Sequence, residues 1–91
     1  MWVTTDPDAR RVVLTEERWR HVVDTHGELK GHRAVVLGAV SHPHERLQAR
    51  RPGQEWFYGW SRRRSQWIRV VVHYEGDRRF IVPAFPRRSI P

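Results

Sequence analysis

The chain has 91 residues with 38% hydrophobic and 30% charged side chains, no Cys, five Trp, two Tyr and three Phe. That length supports one modest core and no second domain; the rings argue against disorder because each buries much apolar area; and the lack of Cys excludes disulfides and thiolate metal sites. No run approaches the ~20 apolar residues of a membrane-spanning helix, the first residues lack the apolar core of a secretory signal, and 17 Lys+Arg against 10 Asp+Glu leave a net charge of +7. The expectation is a soluble, cytoplasmic, basic protein.

Residues 1–9 (MWVTTDPDA) read as an arm or a first short strand, with turn chemistry at Asp6-Pro7-Asp8. Arg10–Leu14 is a short β-branched run, a plausible strand. Thr15-Glu16-Glu17 reads as a helix start, a capping hydroxyl followed by two carboxylates at the positive end of the dipole. Trp19, Val22, Val23 and His26 then form one stripe, and Gly27 stops the helix. A second helix covers about His32–Ser41, and Pro43 ends it. Strand patterns follow at Leu47–Arg51, Glu55–Trp60, Gln66–Tyr74 and Arg79–Phe85, with a charged loop at Ser61–Ser65 and a tight turn at Glu75-Gly76-Asp77. The expected fold is α+β: two N-terminal helices on one face of an antiparallel meander of about four strands. It forms a single compact domain over residues 1–91, with 1–9 as an N-terminal arm and 86–91 as a basic tail.

Alternation along the last two strands separates an apolar face (Ile68, Val70, Val72, Tyr74, Phe80, Val82, Ala84) from a mixed one. The second face takes Trp67, Arg69, Val71, His73, Arg79, Ile81, Pro83 and Phe85. Cations beside flat rings are what single-stranded nucleic acid requires; the plain alternative is an ordinary solvated sheet face. Charge placement favours the first. Residues 1–45 hold six basic and seven acidic groups, residues 46–91 eleven and three, and sixteen of the cations are Arg. A field so uneven suggests an anionic partner, although Arg-rich codon usage and solubility could also produce it.

Six His without Cys point to metal-independent acid–base chemistry before metal binding. His42 and His44 flank Pro43 with no carboxylate completing a ligand set, and no metal or cofactor is expected. His21 and His26 stand about 140° apart around the helix, so they cannot chelate one ion. His26 is either a half-buried His bonded to a local carbonyl or a proton-transfer group at the helix–sheet edge. His21 is either plain surface or groove-lining. No Gly-rich phosphate loop, G-x-S-x-G motif or carboxylate pair is present.

The segments LTEERWRHVVDTHGEL, SHP and WIRVVVHYEGDRRFIVPAF, in that order over about residues 10–88, resemble the Barnase–EndoU–colicin–RelE-like (BECR) group of small nucleases. Its phage-associated and BrnT-like toxin members look nearest. The resemblance implies a metal-independent ribonuclease, toxin-like, with RNA on the uncovered sheet face and an acidic antitoxin-like protein as a further partner. By position it implies His26, His73, Arg69 and His21 as catalytic residues. Arg79, Arg87, Arg88, Arg62, Arg63, Arg64 and Trp67 would contact nucleic acid. The family's final strand often carries a hydroxyl residue before the Ala; here Pro83 stands in that place. Two other readings of the same scaffold are a non-catalytic nucleic-acid-binding module and a domain that docks on an acidic protein.

Overall fold

The computed structural model describes all residues, Met1–Pro91. Its elements are β1 (Trp2–Thr5), β2 (Arg11–Leu14), α1 (Glu16–Thr25), α2 (Arg33–Ser41), β3 (Glu45–Gln48), β4 (Gln54–Ser61), β5 (Gln66–Glu75) and β6 (Arg78–Arg87), with one 3-10 turn at Gly27–Leu29 between the helices. The strands form a single sheet in the order β1-β2-β6-β5-β4-β3.

The class is α+β, but the expected four-stranded antiparallel meander behind two N-terminal helices is incorrect. A hairpin, β1–β2, precedes the helices, and β2 pairs parallel to β6 at Val13↔Phe80. The sheet therefore has six strands and is mixed. The hairpin forms because Asp6 accepts from the backbone N–H groups of Asp8 and Arg10, both at 2.9 Å, and organises the turn. Burial then places β2 inside the sheet: Val12 and Leu14 are both 0% exposed.

The helices start and stop where their local chemistry directs. Thr15 caps α1 by accepting from the Arg18 N–H at 3.1 Å. His26 and His42 close α1 and α2, their N–H groups donating to Val22 and Gly38 carbonyls. Both helices cover one sheet face, α2 over β4 and β5, α1 against β6. Val22, Val36 and Val40 from the helices meet Phe57, Ile68, Val70 and Ile81 there. Each such buried side chain contributes about 1.5–3 kcal/mol. Gly59 lets α2 approach β4: a Cβ at that position would lie 2.8 Å from the Ala39 Cβ.

The last hairpin differs from strict alternation. Val70 faces Ala84 but Val72 faces Ile81, so Val82 and Pro83 together oppose Val71. The bulge suits Pro83, which has no N–H for the ladder. It also reverses the faces of the residues before it. Ile81 is buried opposite Val72, and Phe80 lies beside His73 on the uncovered face, the reverse of the alternation expected from sequence.

Candidate nucleic-acid interface

The uncovered face is built from alternate residues of the neighbouring strands β4, β5 and β6. Trp56, Tyr58 and Trp60 of β4 stand opposite Val71, Arg69 and Trp67 of β5, and Phe85 of β6 faces Arg69 from the other side. Register thus encloses one cation in rings. The Arg69 Cζ lies 3.8 Å from the Trp56 ring centroid, 5.4 Å from Tyr58 and 5.5 Å from Phe85. Its Nε donates to the Tyr58 hydroxyl at 2.7 Å, the one hydrogen bond it makes.

Arg69 is 7% exposed, and no carboxylate pairs with it. Buried charges are normally paired because desolvation is costly. Here the rings supply the compensation through their negative faces. The terminal guanidinium nitrogens have no protein partner and are not sealed from solvent. The result is a rigid fork of donors open to an oxyanion.

Beyond Arg69, the face continues as aromatic surface. Trp60 and Trp67 meet edge to face at 4.8 Å, and His44 packs on Trp67 at 4.7 Å. Trp60 is 46% exposed, a flat apolar surface on one side of Trp67, and Arg87 pairs with Trp67 on the other.

Of the expected catalytic residues, two contact one common ring, that of Phe85. His26 caps α1 at the edge of β6 and lies 6.0 Å from the Phe85 ring, the same ring that walls Arg69. His73 is on the strand of Arg69 but four residues away, about 13 Å along it. There it packs on Phe80 at 5.3 Å and pairs with Glu75 at 3.4 Å, with its Nδ1 buried and unpartnered. His21 is exposed on α1 beside Glu17, Arg18, Arg20 and Asp24, on a different surface.

The expected nucleic-acid residues are also dispersed. Arg62, Arg63 and Arg64 lie in the exposed β4–β5 turn, where Arg63 donates to the Lys30 carbonyl at 3.1 Å and so braces the joint between the helices. Arg79 donates to the Arg11 carbonyl at 2.8 Å. Arg88 follows the end of β6 and is exposed.

Sequence reasoning missed Tyr58, which needs the β4–β5 register to be placed against Arg69. It also missed the pair His32 and Ser61, 2.7 Å apart, with the His32 Nδ1 3.4 Å from the Lys30 carbonyl. The pair imitates a nucleophile and its base. Ser61, however, is 1% exposed and its oxygen also accepts from the Arg64 N–H, so it joins α2 to the β4–β5 turn.

A second polar network lies under the covered face. Tyr74 donates to Asp6 at 2.8 Å, and Arg46 bonds Glu55 at 2.7 Å and Asp8 at 2.8 Å. Burial pushes the Asp6 carboxyl up, but the Arg10 N–H, the Tyr74 hydroxyl, the Arg10 charge and the Asp8 N–H outweigh it and hold it below the usual carboxylate range. Burial, together with the bond to Asp6, pushes the Tyr74 hydroxyl well above its ordinary value. Nowhere do three or more His, Asp or Glu side chains gather as a metal-ligand set. No helix is long and apolar enough to cross a membrane.

Compared with known proteins, the chain matches no family model, no curated protein and no solved structure.

Proposed function

We propose that the protein binds single-stranded RNA across the uncovered sheet face and cleaves it at Arg69 without a metal, as the resemblance to the BECR nucleases implies. One observation carries this reading: the guanidinium of Arg69 is 7% exposed, has no acidic partner and presents free donors from an aromatic cage. A preorganised cation largely desolvated by its rings stabilises charge that develops on a phosphate better than a fully solvated one. His26, across Phe85, removes the 2′-hydroxyl proton; the oxygen attacks the adjacent phosphorus; Arg69 holds the non-bridging oxygens. The 5′-oxygen leaves with a proton from water, the hydroxide so formed takes the proton held by His26, and the product ends in a 2′,3′-cyclic phosphate. Trp60 and Trp67 stack the flanking bases.

Pro83 favours a second reading, a module that binds RNA without cutting it. No hydroxyl stands at that position, and the separation of His73 leaves one imidazole at the Arg69 cage.

The test is incubation of end-labelled RNA in EDTA with wild type, His26→Ala and Arg69→Met. Cutting that leaves cyclic phosphate ends and is lost in both variants supports cleavage. Binding without cutting selects the second reading; with about four to six phosphates neutralised, log affinity then falls against log salt with a slope near −3 to −4. Absence of both cutting and salt-sensitive binding would sink both.

A further inference from the structure

The far end of the same face holds a different feature. Where β2 runs beside β6, a cavity of about 560 Å³ is floored by Val13 and Phe80 and walled by Arg11, Arg18, Arg78 and Arg79. Thr15, the cap of α1, and Asp77 complete the wall. That volume lies within the range of small-ligand sites.

Four guanidinium groups face one carboxylate there, and none of them takes part in an ion pair. The parallel β2–β6 pairing places Arg11 beside Arg78, and the Arg79 Nε is fixed on the Arg11 carbonyl at 2.8 Å. Arg18 comes from the first turns of α1. The cations are therefore gathered by three elements, which is unlike a solvated charge run on one helix or loop.

Charge selects the ligand. A backbone phosphodiester carries one negative charge, which leaves most of this cluster unbalanced. A 5′-di- or triphosphate carries about three to four, because its terminal phosphate alone holds about two. Planar Arg forks match phosphate oxygens two at a time. The Phe80 ring, on which Arg78 packs at 5.8 Å, offers a flat surface for an attached base.

We infer that this cavity binds a 5′-polyphosphate group, supplied either by a free nucleotide or by the 5′ end of an RNA. The inference is independent of cleavage at Arg69, which lies at the opposite end of the face.

The test is calorimetric titration of the intact protein with inorganic triphosphate, inorganic phosphate and a nucleoside triphosphate. A second titration compares 5′-triphosphorylated and 5′-hydroxyl forms of one short RNA. Inorganic triphosphate should bind at least about tenfold more tightly than phosphate. Arg18→Ala and Arg78→Ala, both exposed and with side chains that make no hydrogen bond, should each weaken it about tenfold, the value of a lost charge-assisted bond. Arg20→Ala removes the same charge from α1 outside the cavity and should change affinity less than about twofold. Asp77→Asn should tighten binding. A nucleoside triphosphate that binds more tightly than inorganic triphosphate, with no gain for the triphosphorylated RNA, identifies the free nucleotide as source; a gain for that RNA identifies its 5′ end. Equal affinity for phosphate and triphosphate overturns the inference. So does an Arg20→Ala loss as large as the Arg78→Ala loss, which would show attraction by net charge alone.

Discussion

The Arg69 guanidinium stacks 3.8 Å from the Trp56 ring centroid with no carboxylate beside it. Rings and one hydroxyl offset only part of the cost of burying this cation. Arg69→Met keeps the stem and removes the charge. Its unfolding midpoint in urea should match or exceed that of wild type. Cleavage in EDTA should fall by about 10²–10³-fold, as when an oxyanion donor is removed. A clear loss of stability would mean that Arg69 serves packing instead.

Tyr58 orients that guanidinium through the 2.7 Å bond from Nε. Tyr58→Phe preserves the ring and leaves a buried charged donor unpaired, at a cost of about 1–3 kcal/mol. Denaturation should show that loss, and RNA affinity should drop as the fork becomes free to rotate. Unchanged stability together with unchanged affinity would remove Tyr58 from a positioning role.

Much of this arrangement was legible in the sequence, element by element. Thr15 caps α1, the strand patterns at Glu55–Trp60 and Gln66–Tyr74 lie inside β4 and β5, and alternation puts Arg69 on the uncovered face. Periodicity reports local structure, so it located the elements. It does not report partners. The parallel pairing of Val13 with Phe80 joins segments far apart in the chain, and no local pattern encodes it. The bulge at Val82–Pro83 adds one residue and reverses the faces of Phe80 and Ile81, which alternation alone cannot anticipate. The cage around Arg69 and the arginine cavity both depend on those long-range registers. They could not be assembled from spacing.

Close packing at Gly59 gives a stability prediction that is independent of function. A Cβ there would lie 2.8 Å from the Ala39 Cβ and 3.3 Å from its Cα. Helix and strand would have to separate, so Gly59→Ala should cost about 1–3 kcal/mol. Chemical denaturation measures it, and a neutral result would show that α2 shifts freely over the sheet.

Asp6 and Tyr74 link the stability of the fold to pH at its two ends. The Asp6 carboxyl is held below its ordinary value in the folded chain, so its contribution is complete above the unfolded value of 3.8 and is lost as pH falls through the folded one. Tyr74 has the opposite sign. Its raised hydroxyl adds stability below the unfolded value of 10.0, and that is lost as pH rises above it. Asp6→Asn should lower stability near neutral pH and flatten the acid limb of a stability–pH curve. Parallel acid limbs in wild type and variant would show that other carboxyls control acid unfolding.

The imidazoles of His26, which caps α1, and His73, on β5, should separate under mutation. His26 shares the Phe85 ring with Arg69, whereas His73 stands about 13 Å away along β5 and pairs with Glu75. A phosphate held at Arg69 is out of reach of His73. His26→Ala should therefore abolish cleavage while leaving RNA binding largely intact. His73→Ala should retain cutting at Arg69 with at most a small change in rate. The opposite outcome, loss with His73→Ala alone, would move the reacting phosphate to the Phe80 end of the face and make Arg69 a binding group only.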